Sequence, residues 1–458
     1  MLDKDRSLKR FGDRIMQSLC PDSHDVMDNY NRVLKELYLL QKIGIKFGLN
    51  HTENILERLG NPHIGIKYVH IGGTNGKGSV VAMISSILKA HNYKVGSYTS
   101  PHLLRFTERI RIDWEEISPA RVIEVYEKVK SVLVPEIPPT FFEFVTAMAF
   151  LYFKEEDVDW GVIEVGMGGR LDCTNVITPQ VSVITNVGFD HQEFLGTSLA
   201  AIAREKAGII KPGVPVITAA KQPVVQSVIK TTANRLGAPL RIFGKDFTIK
   251  KSSPQTFHYQ GKTRTFRDLT VPLIGEHQRE NAALVLAALE VLEERGLLEL
   301  REGEVRSGLA STSWPGRAEI ISRNPTIIID GAHNPQGAES LKHMLKTSFS
   351  YDKLYFVIGI MGDKDVRGIL RRLLPQAEAV IFTKPGYSRA ADPEALKKIA
   401  RSYISRCYVI PDVSQAIEYA KNEAGPNDLI CITGSLYFIG EVKALFGEPA
   451  DAVTSLSQ

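Results

Sequence analysis

Hydrophobic positions along the chain change period several times, and those changes mark its elements. Between residues 25 and 43 (DVMDNYNRVLKELYLLQKI), Val33, Leu37, Leu40 and Ile43 recur near helical spacing, and residues 52–59 predict a short second helix. Tyr68-Val69-His70-Ile71 is instead a short β-favouring run that meets glycines at Gly72 and Gly73, and from Ser79 a helical stretch begins. The order is strand, glycine loop, helix. Further apolar strands are predicted at 94–98, 161–165 and 181–186, separated by helical windows at 119–134 and 140–154. Such alternation predicts a mostly parallel sheet with helices on both faces.

Residues 214–275 read differently. Short runs rich in Thr, Phe, Lys and Gly (PVITAA, LRIFGKDF, FHYQGKTRTF, LTVPLIG) predict an accessory antiparallel sheet, closed by an apolar-striped helix over 278–295. Turn formers at 311–317 (STSWPGR) precede a second alternation, with strands at 326–330, 354–359, 379–383, 406–410 and 429–433. The expected fold class is therefore α/β. Residues 1–312 are expected to form a first domain with a mostly parallel sheet and the accessory antiparallel sheet, opening on a polar extension over 1–24. Residues 313–458 form a smaller Rossmann-like α/β domain.

Composition narrows the function classes. The chain has 458 residues, 43% hydrophobic and 24% charged, which excludes disorder and allows more than one core. A net charge of +4 gives no reason to expect nucleic-acid binding. Cys20, Cys173, Cys407 and Cys431 form no Cys-x-x-Cys pair, which disfavours a disulfide framework or zinc knuckle and suits a reducing, cytoplasmic compartment. The start of the sequence has no apolar signal region and no run of 18 apolar residues follows, so no membrane association is expected. A monomer acting on small molecules is the expectation.

The sharpest chemical signal is the loop Gly73-Thr74-Asn75-Gly76-Lys77-Gly78-Ser79. Its glycines let backbone N–H groups converge on phosphate oxygens, the helix start adds a positive dipole end, Lys77 supplies a cation and Ser79 a hydroxyl. The loop departs from G-x-x-x-x-G-K-[ST], because Ile71 stands at the first glycine position and Gly78 follows the lysine. Ser100, Glu164 and His191 each lie at or just past a strand end, where open α/β sheets place ligands, and this hydroxyl, carboxylate and imidazole suit Mg²⁺ held with phosphate and water. Asp330 and His333 follow another apolar strand run, and Arg317 can clamp phosphate. Lys206 reads by composition as a solvated helical lysine, and Phe141-Phe142 as core.

These segments, with TSPHLLRFTERIRI (99–112), TFFEF (140–144), IEVGMGGRLDCTN (163–175), TNVGFDHQEFLG (185–196), REKAGIIKPG (204–213), GEHQRENA (275–282), WPGR (314–317), DGAHNP (330–335) and TGSLYFIGEVK (433–443), run in one order. The chain resembles the folylpolyglutamate synthase and dihydrofolate synthase family of the Mur ligase superfamily from about residue 25 to about 445. The resemblance implies a ligase that spends ATP to join L-glutamate to a folate carboxylate, and that uses two magnesium ions. It implies that Gly73 to Ser79, Asn281, Arg317 and Asp330 hold ATP, and that Ser100, Glu164, His191 and Lys206 hold the metal, with Lys206 carbamylated. It also implies that His333 lies near the site of amide formation, with Lys77, Lys206, His333 and Asp330 serving catalysis, and that Thr140, Phe141 and Phe142 wall the pterin. The alternatives are a cell-wall Mur-type amino-acid ligase and a P-loop NTPase switch. The switch would want an Asp-Asp or Asp-Glu strand end where Glu164-Val165-Gly166 stands.

Overall fold

The computed structural model describes residues 23–453, apart from Ile45, Phe47 and Pro254. Residues 1–22 of the expected polar extension lie outside the described residues. The first sheet has eight strands, β1 (Lys67–Gly72), β2 (Val95–Tyr98), β3 (Ile110–Ile112), β4 (Glu115–Glu116), β5 (Trp160–Glu164), β6 (Val181–Ile184), β7 (Val216–Thr218) and β8 (Leu240–Ile242), in the spatial order 4-3-2-5-1-6-7-8. From β2 to β8 every neighbouring pair is parallel, while β3 and β4 form an antiparallel edge. The chain moves from β1 toward β2 on one side and toward β6 on the other, so strand order switches around β1, the place where open sheets gather ligands at their carboxyl ends.

Helices cover both faces. Lys77–Ala90, with Glu276–Glu294 beside it, packs on one face, and Ser23–Leu39, Pro119–Ser131 and Phe141–Glu155 pack on the other. The helix after the glycine loop is buried from Gly78 to Leu88, which accounts for its nearly continuous apolar run. Two of its three serines are satisfied internally, Ser85 Oγ with Ser97 Oγ at 2.9 Å and Ser86 Oγ by the Trp114 indole N–H at 2.9 Å. Phe141–Glu155 opens on a capping box, in which the Glu143 N–H donates to Thr140 Oγ1 and the Thr140 N–H to Glu143 Oε2.

The accessory antiparallel sheet is smaller than the sequence predicts: β9 (Thr248–Lys251), β10 (Thr256–Gln260) and β11 (Thr265–Thr270). The runs at 216–218 and 240–242 instead extend the parallel sheet, because the helix Pro223–Arg235 between them supplies a parallel crossover. A second sheet follows from β12 (Glu319–Ser322), β13 (Thr326–Asp330), β14 (Leu354–Ile358), β15 (Ala379–Phe382), β16 (Cys407–Val409) and β17 (Leu429–Thr433), ordered 12-13-17-14-15-16 and parallel except for β12. The short strands β3, β4 and β12 carry no clear alternating signal. Among the described residues no helix is long and apolar enough to cross a membrane.

Candidate active site

A cavity of about 250 Å³ opens between the carboxyl end of the first sheet and the carboxyl ends of β13, β14 and β17 in the second. Its wall includes Gly73 to Ser79, Ser100, Glu164, His191, Lys206, Asn281, Arg317, Asp330 and His333. Thr140, Phe141 and Phe142 are not on this wall. Thr140 is buried as a helix cap, Phe141 is 8% exposed in the core with Tyr38, and the Phe142 ring faces Gly166 behind the cavity lining.

The glycine loop is held rigidly from β6. The Asn75 N–H donates to Asn186 Oδ1 at 3.0 Å, while Asn186 Nδ2 and Thr185 Oγ1 donate to the Asn75 carbonyl at 3.0 and 2.7 Å. Gly76 has φ +84°, and an added Cβ would stand 2.7 Å from Asn281 Oδ1, so backbone conformation and the approach of Asn281 both require glycine here. Lys77 Nζ lies 3.3 Å from the Thr74 carbonyl and 3.9 Å from Glu164 Oε1. Ser79 Oγ is buried without a hydrogen-bond partner, at the N-terminal turn of the helix and inside the cavity wall. A buried unpaired hydroxyl costs roughly 1–3 kcal/mol, so it marks a place where a ligand oxygen or cation completes the site.

Glu164, the last residue of β5, accepts from the Ser100 N–H at 3.1 Å. Burial pushes its carboxyl pKa up, against the pull of Lys77. Lys206 is 5% exposed, which overturns its reading as a solvated lysine, and its Nζ donates to the Gly73 carbonyl at 2.9 Å. Burial, with Lys77 repulsion added, pushes its pKa down to about 7. Among the described residues no three His, Cys, Asp or Glu side chains make a preformed metal cluster. The donor set fits a hard cation none the less: a desolvated carboxylate with its nearest cation at 3.9 Å, an orphaned hydroxyl and a neighbouring imidazole.

From the second sheet, both Asp330 oxygens accept backbone N–H groups, from Ala318 and Ala332, each at 2.9 Å. Burial raises its pKa, opposed chiefly by Arg317. His333 Nδ1 donates to the Gly331 carbonyl at 2.8 Å, which leaves Nε2 facing Asp190 Oδ2 at 3.4 Å. Asn334 caps the next helix, accepting from the Gly337 N–H at 2.8 Å, and its Nδ2 donates to Asn75 Oδ1 at 2.9 Å while Asn75 Nδ2 donates to Asn334 Oδ1 at 3.1 Å.

Asp190 is the group the sequence reading missed. Its side chain is 8% exposed and receives Lys364 Nζ at 2.8 Å and Asn334 Nδ2 at 3.1 Å; despite burial, His333 first, then His191 and Lys364, hold its pKa far below the usual carboxylate range. Asp190 comes from the first sheet's loop, Lys364 and Asn334 from the second's, so the pairing is invisible in local sequence. Its one local sign is the Asp-His dipeptide.

The family description "Mur ligase middle domain" matches residues 71–289, and "Mur ligase, glutamate ligase domain" matches 316–436. A dihydrofolate synthase/folylpolyglutamate synthase of Bacillus subtilis is 38% identical, over 88% of this chain and 95% of that one. The solved folylpolyglutamate synthase of Mycobacterium tuberculosis, complexed with ADP and AMPPCP, superposes with a TM-score of 0.85 at 34% identity, covering 91% of this chain and 99% of that one. A bifunctional folylpolyglutamate synthase/dihydrofolate synthase solved with Mn, AMPPNP and L-glutamate bound gives 0.82 at 31% identity, over 91% and 98%.

Proposed function

The chain belongs to the dihydrofolate synthase/folylpolyglutamate synthase family of Mur ligases, and from that premise we propose that it joins L-glutamate to a folate carboxylate at the expense of ATP, through an acyl phosphate. The observation that carries this reading is the meeting, in one cavity, of a phosphate-type glycine loop from one sheet with the Arg317, Asp330 and His333 group from the other. The Asn75–Asn334 amide pair joins the two sides.

A carboxylate is a poor acylating agent because its leaving oxygen would be an oxide. Transfer of the γ-phosphoryl to it makes phosphate the leaving group instead. Lys77 and Arg317 bear positive charge toward the transferred phosphoryl, where electrostatic stabilisation acts. Asn281 and Asp330 hold the rest of the nucleotide. Ser100, Glu164, His191 and Lys206, the last as a carbamate, would hold two magnesium ions, which would supply further positive charge to the phosphate oxygens. Burial, which pushes the Lys206 pKa down to about 7, makes the neutral amine that can add to CO₂ accessible near neutral pH.

The glutamate amine attacks in neutral form and must then lose a proton. Both Asp330 oxygens are committed to backbone N–H groups, so His333 Nε2 is the better acceptor, with Asp190 steadying the imidazolium that results. Closing the second domain over the cavity, whose two sides the Asn75–Asn334 pair joins, would keep out water that hydrolyses the acyl phosphate. Cys173, Cys407 and Cys431 are free thiols, which supports a reducing, cytoplasmic setting. Dihydropteroate and tetrahydrofolate, each offered with glutamate and Mg-ATP, test the function by product mass. Phosphate release that needs both co-substrates supports the ligase, and release with neither supports an NTPase switch.

A further inference from the structure

The glycine loop departs from the general pattern at Gly78, directly after Lys77, and the structure gives a reason. A Cβ on Gly78 would lie 2.5 Å from Cζ2, 2.7 Å from Cε2 and 2.8 Å from Nε1 of Trp314. The indole of Trp314 therefore lies flush on the first turn of the helix that carries the loop, in space that any side chain at 78 would take.

Trp314 is held there from the other side as well. The Arg111 guanidinium carbon lies 5.7 Å from the Trp314 ring and 5.7 Å from the Trp114 ring, and the two indole centroids are 6.2 Å apart. Trp114 is in turn anchored to Ser86 of the same helix, through its indole N–H at 2.9 Å. Two residues after Trp314 the chain already belongs to the second sheet: the Gly331 N–H donates to the Gly316 carbonyl at 3.0 Å, and the Gly316 N–H to Glu319 Oε2 at 2.7 Å. Arg317 follows at once and enters the cavity.

We propose that Trp314 is a positioning residue that docks the interdomain linker on the nucleotide loop at Gly78 and so fixes where Arg317 stands relative to Lys77. It touches neither folate nor glutamate in this account. Its effect runs through three residues of linker, too short a tether for Arg317 to keep its place if the indole lifts away. The inference rests on the reading of the loop as the ATP site.

The test uses the full chain with Trp314→Ala, Trp314→Phe and Gly78→Ala, Mg-ADP as the binding probe, and steady-state kinetics varied separately in ATP and glutamate. Trp314→Ala and Gly78→Ala are expected to lose between about ten- and a hundredfold in kcat/KM for ATP, with KM for glutamate within about twofold, and Trp314→Phe to recover most of that loss. Mg-ADP should also change the indole emission of the parent by a component missing from Trp314→Phe, a readout that survives if Trp314→Ala does not fold. Unchanged kcat/KM for ATP in Trp314→Ala, or in Gly78→Ala where Trp314→Ala does not fold, with no Trp314 component in the emission change, overturns the inference. A parent that binds no Mg-ADP overturns the ATP-site reading itself.

Discussion

The buried Lys206 ammonium group donates to the Gly73 carbonyl at 2.9 Å, so a cation from the helix Leu199–Ala207 is tied to the first residue of the nucleotide loop. A lysine in that place is costly as a cation and useful as an amine or carbamate. Lys206→Ala is expected to lose most activity, and formate or acetate in the assay to restore part of it by refilling the carboxylate position. Rescue should follow the identity of the acid and not ionic strength. Full activity in Lys206→Ala removes the carbamate from the mechanism.

Lys77 sits in the cavity wall, its side chain 16% exposed and 3.9 Å from Glu164. Lys77→Ala should lower kcat by about a hundredfold or more, the scale of a lost transition-state charge partner, while leaving thermal unfolding near that of the parent. A parent-like rate at saturating ATP sinks the phosphate role of this loop.

Asp190 and Lys364 form an ion pair with side chains 8% and 12% exposed. Removing one partner strands the other, so Asp190→Ala should cost roughly 3–5 kcal/mol in denaturant unfolding. A loss within the range of ordinary surface substitutions, about ±0.5 kcal/mol, would show the pair to be solvated in solution.

His277 lines the nucleotide cavity, and burial followed by the nearby Arg317 charge pushes its pKa down to about 4. The unfolded chain then binds more protons than the folded one between pH 4 and about 6.5, so stability rises with pH in that window and is lost on acidification through it. Relative to His277→Gln, the parent should lose up to about 3 kcal/mol between pH 7 and 4, read from urea unfolding at each pH. Parallel pH curves for the two proteins contradict this.

Residues at strand ends were legible in the sequence, because strand, turn and helix signals fix their place: the glycine loop, Ser100, Glu164, His191, Asp330 and His333 all reach one cavity. Residues whose role depends on packing between distant segments were not. Lys206 reads as solvated until the Gly73 loop covers it, and Asp190 has no visible partner until Lys364, 174 positions later, folds against it. The strands β7 and β8 misled for a related reason, since a short apolar run does not show whether its neighbour will be parallel. Gly78 was visible as a departure from the general loop pattern, and only the Trp314 ring explains it.

The central claim, ligation through an acyl phosphate, is tested most directly by isotope transfer. A folate substrate carrying ¹⁸O in its reacting carboxylate is incubated with Mg-ATP and L-glutamate, and the released inorganic phosphate is analysed by mass. Activation by the γ-phosphoryl forms a new P–O bond to a carboxylate oxygen, and amine attack then breaks the C–O bond, so one ¹⁸O should appear in phosphate for each amide formed. Phosphate free of ¹⁸O, or released at the same rate without folate and glutamate, would contradict it.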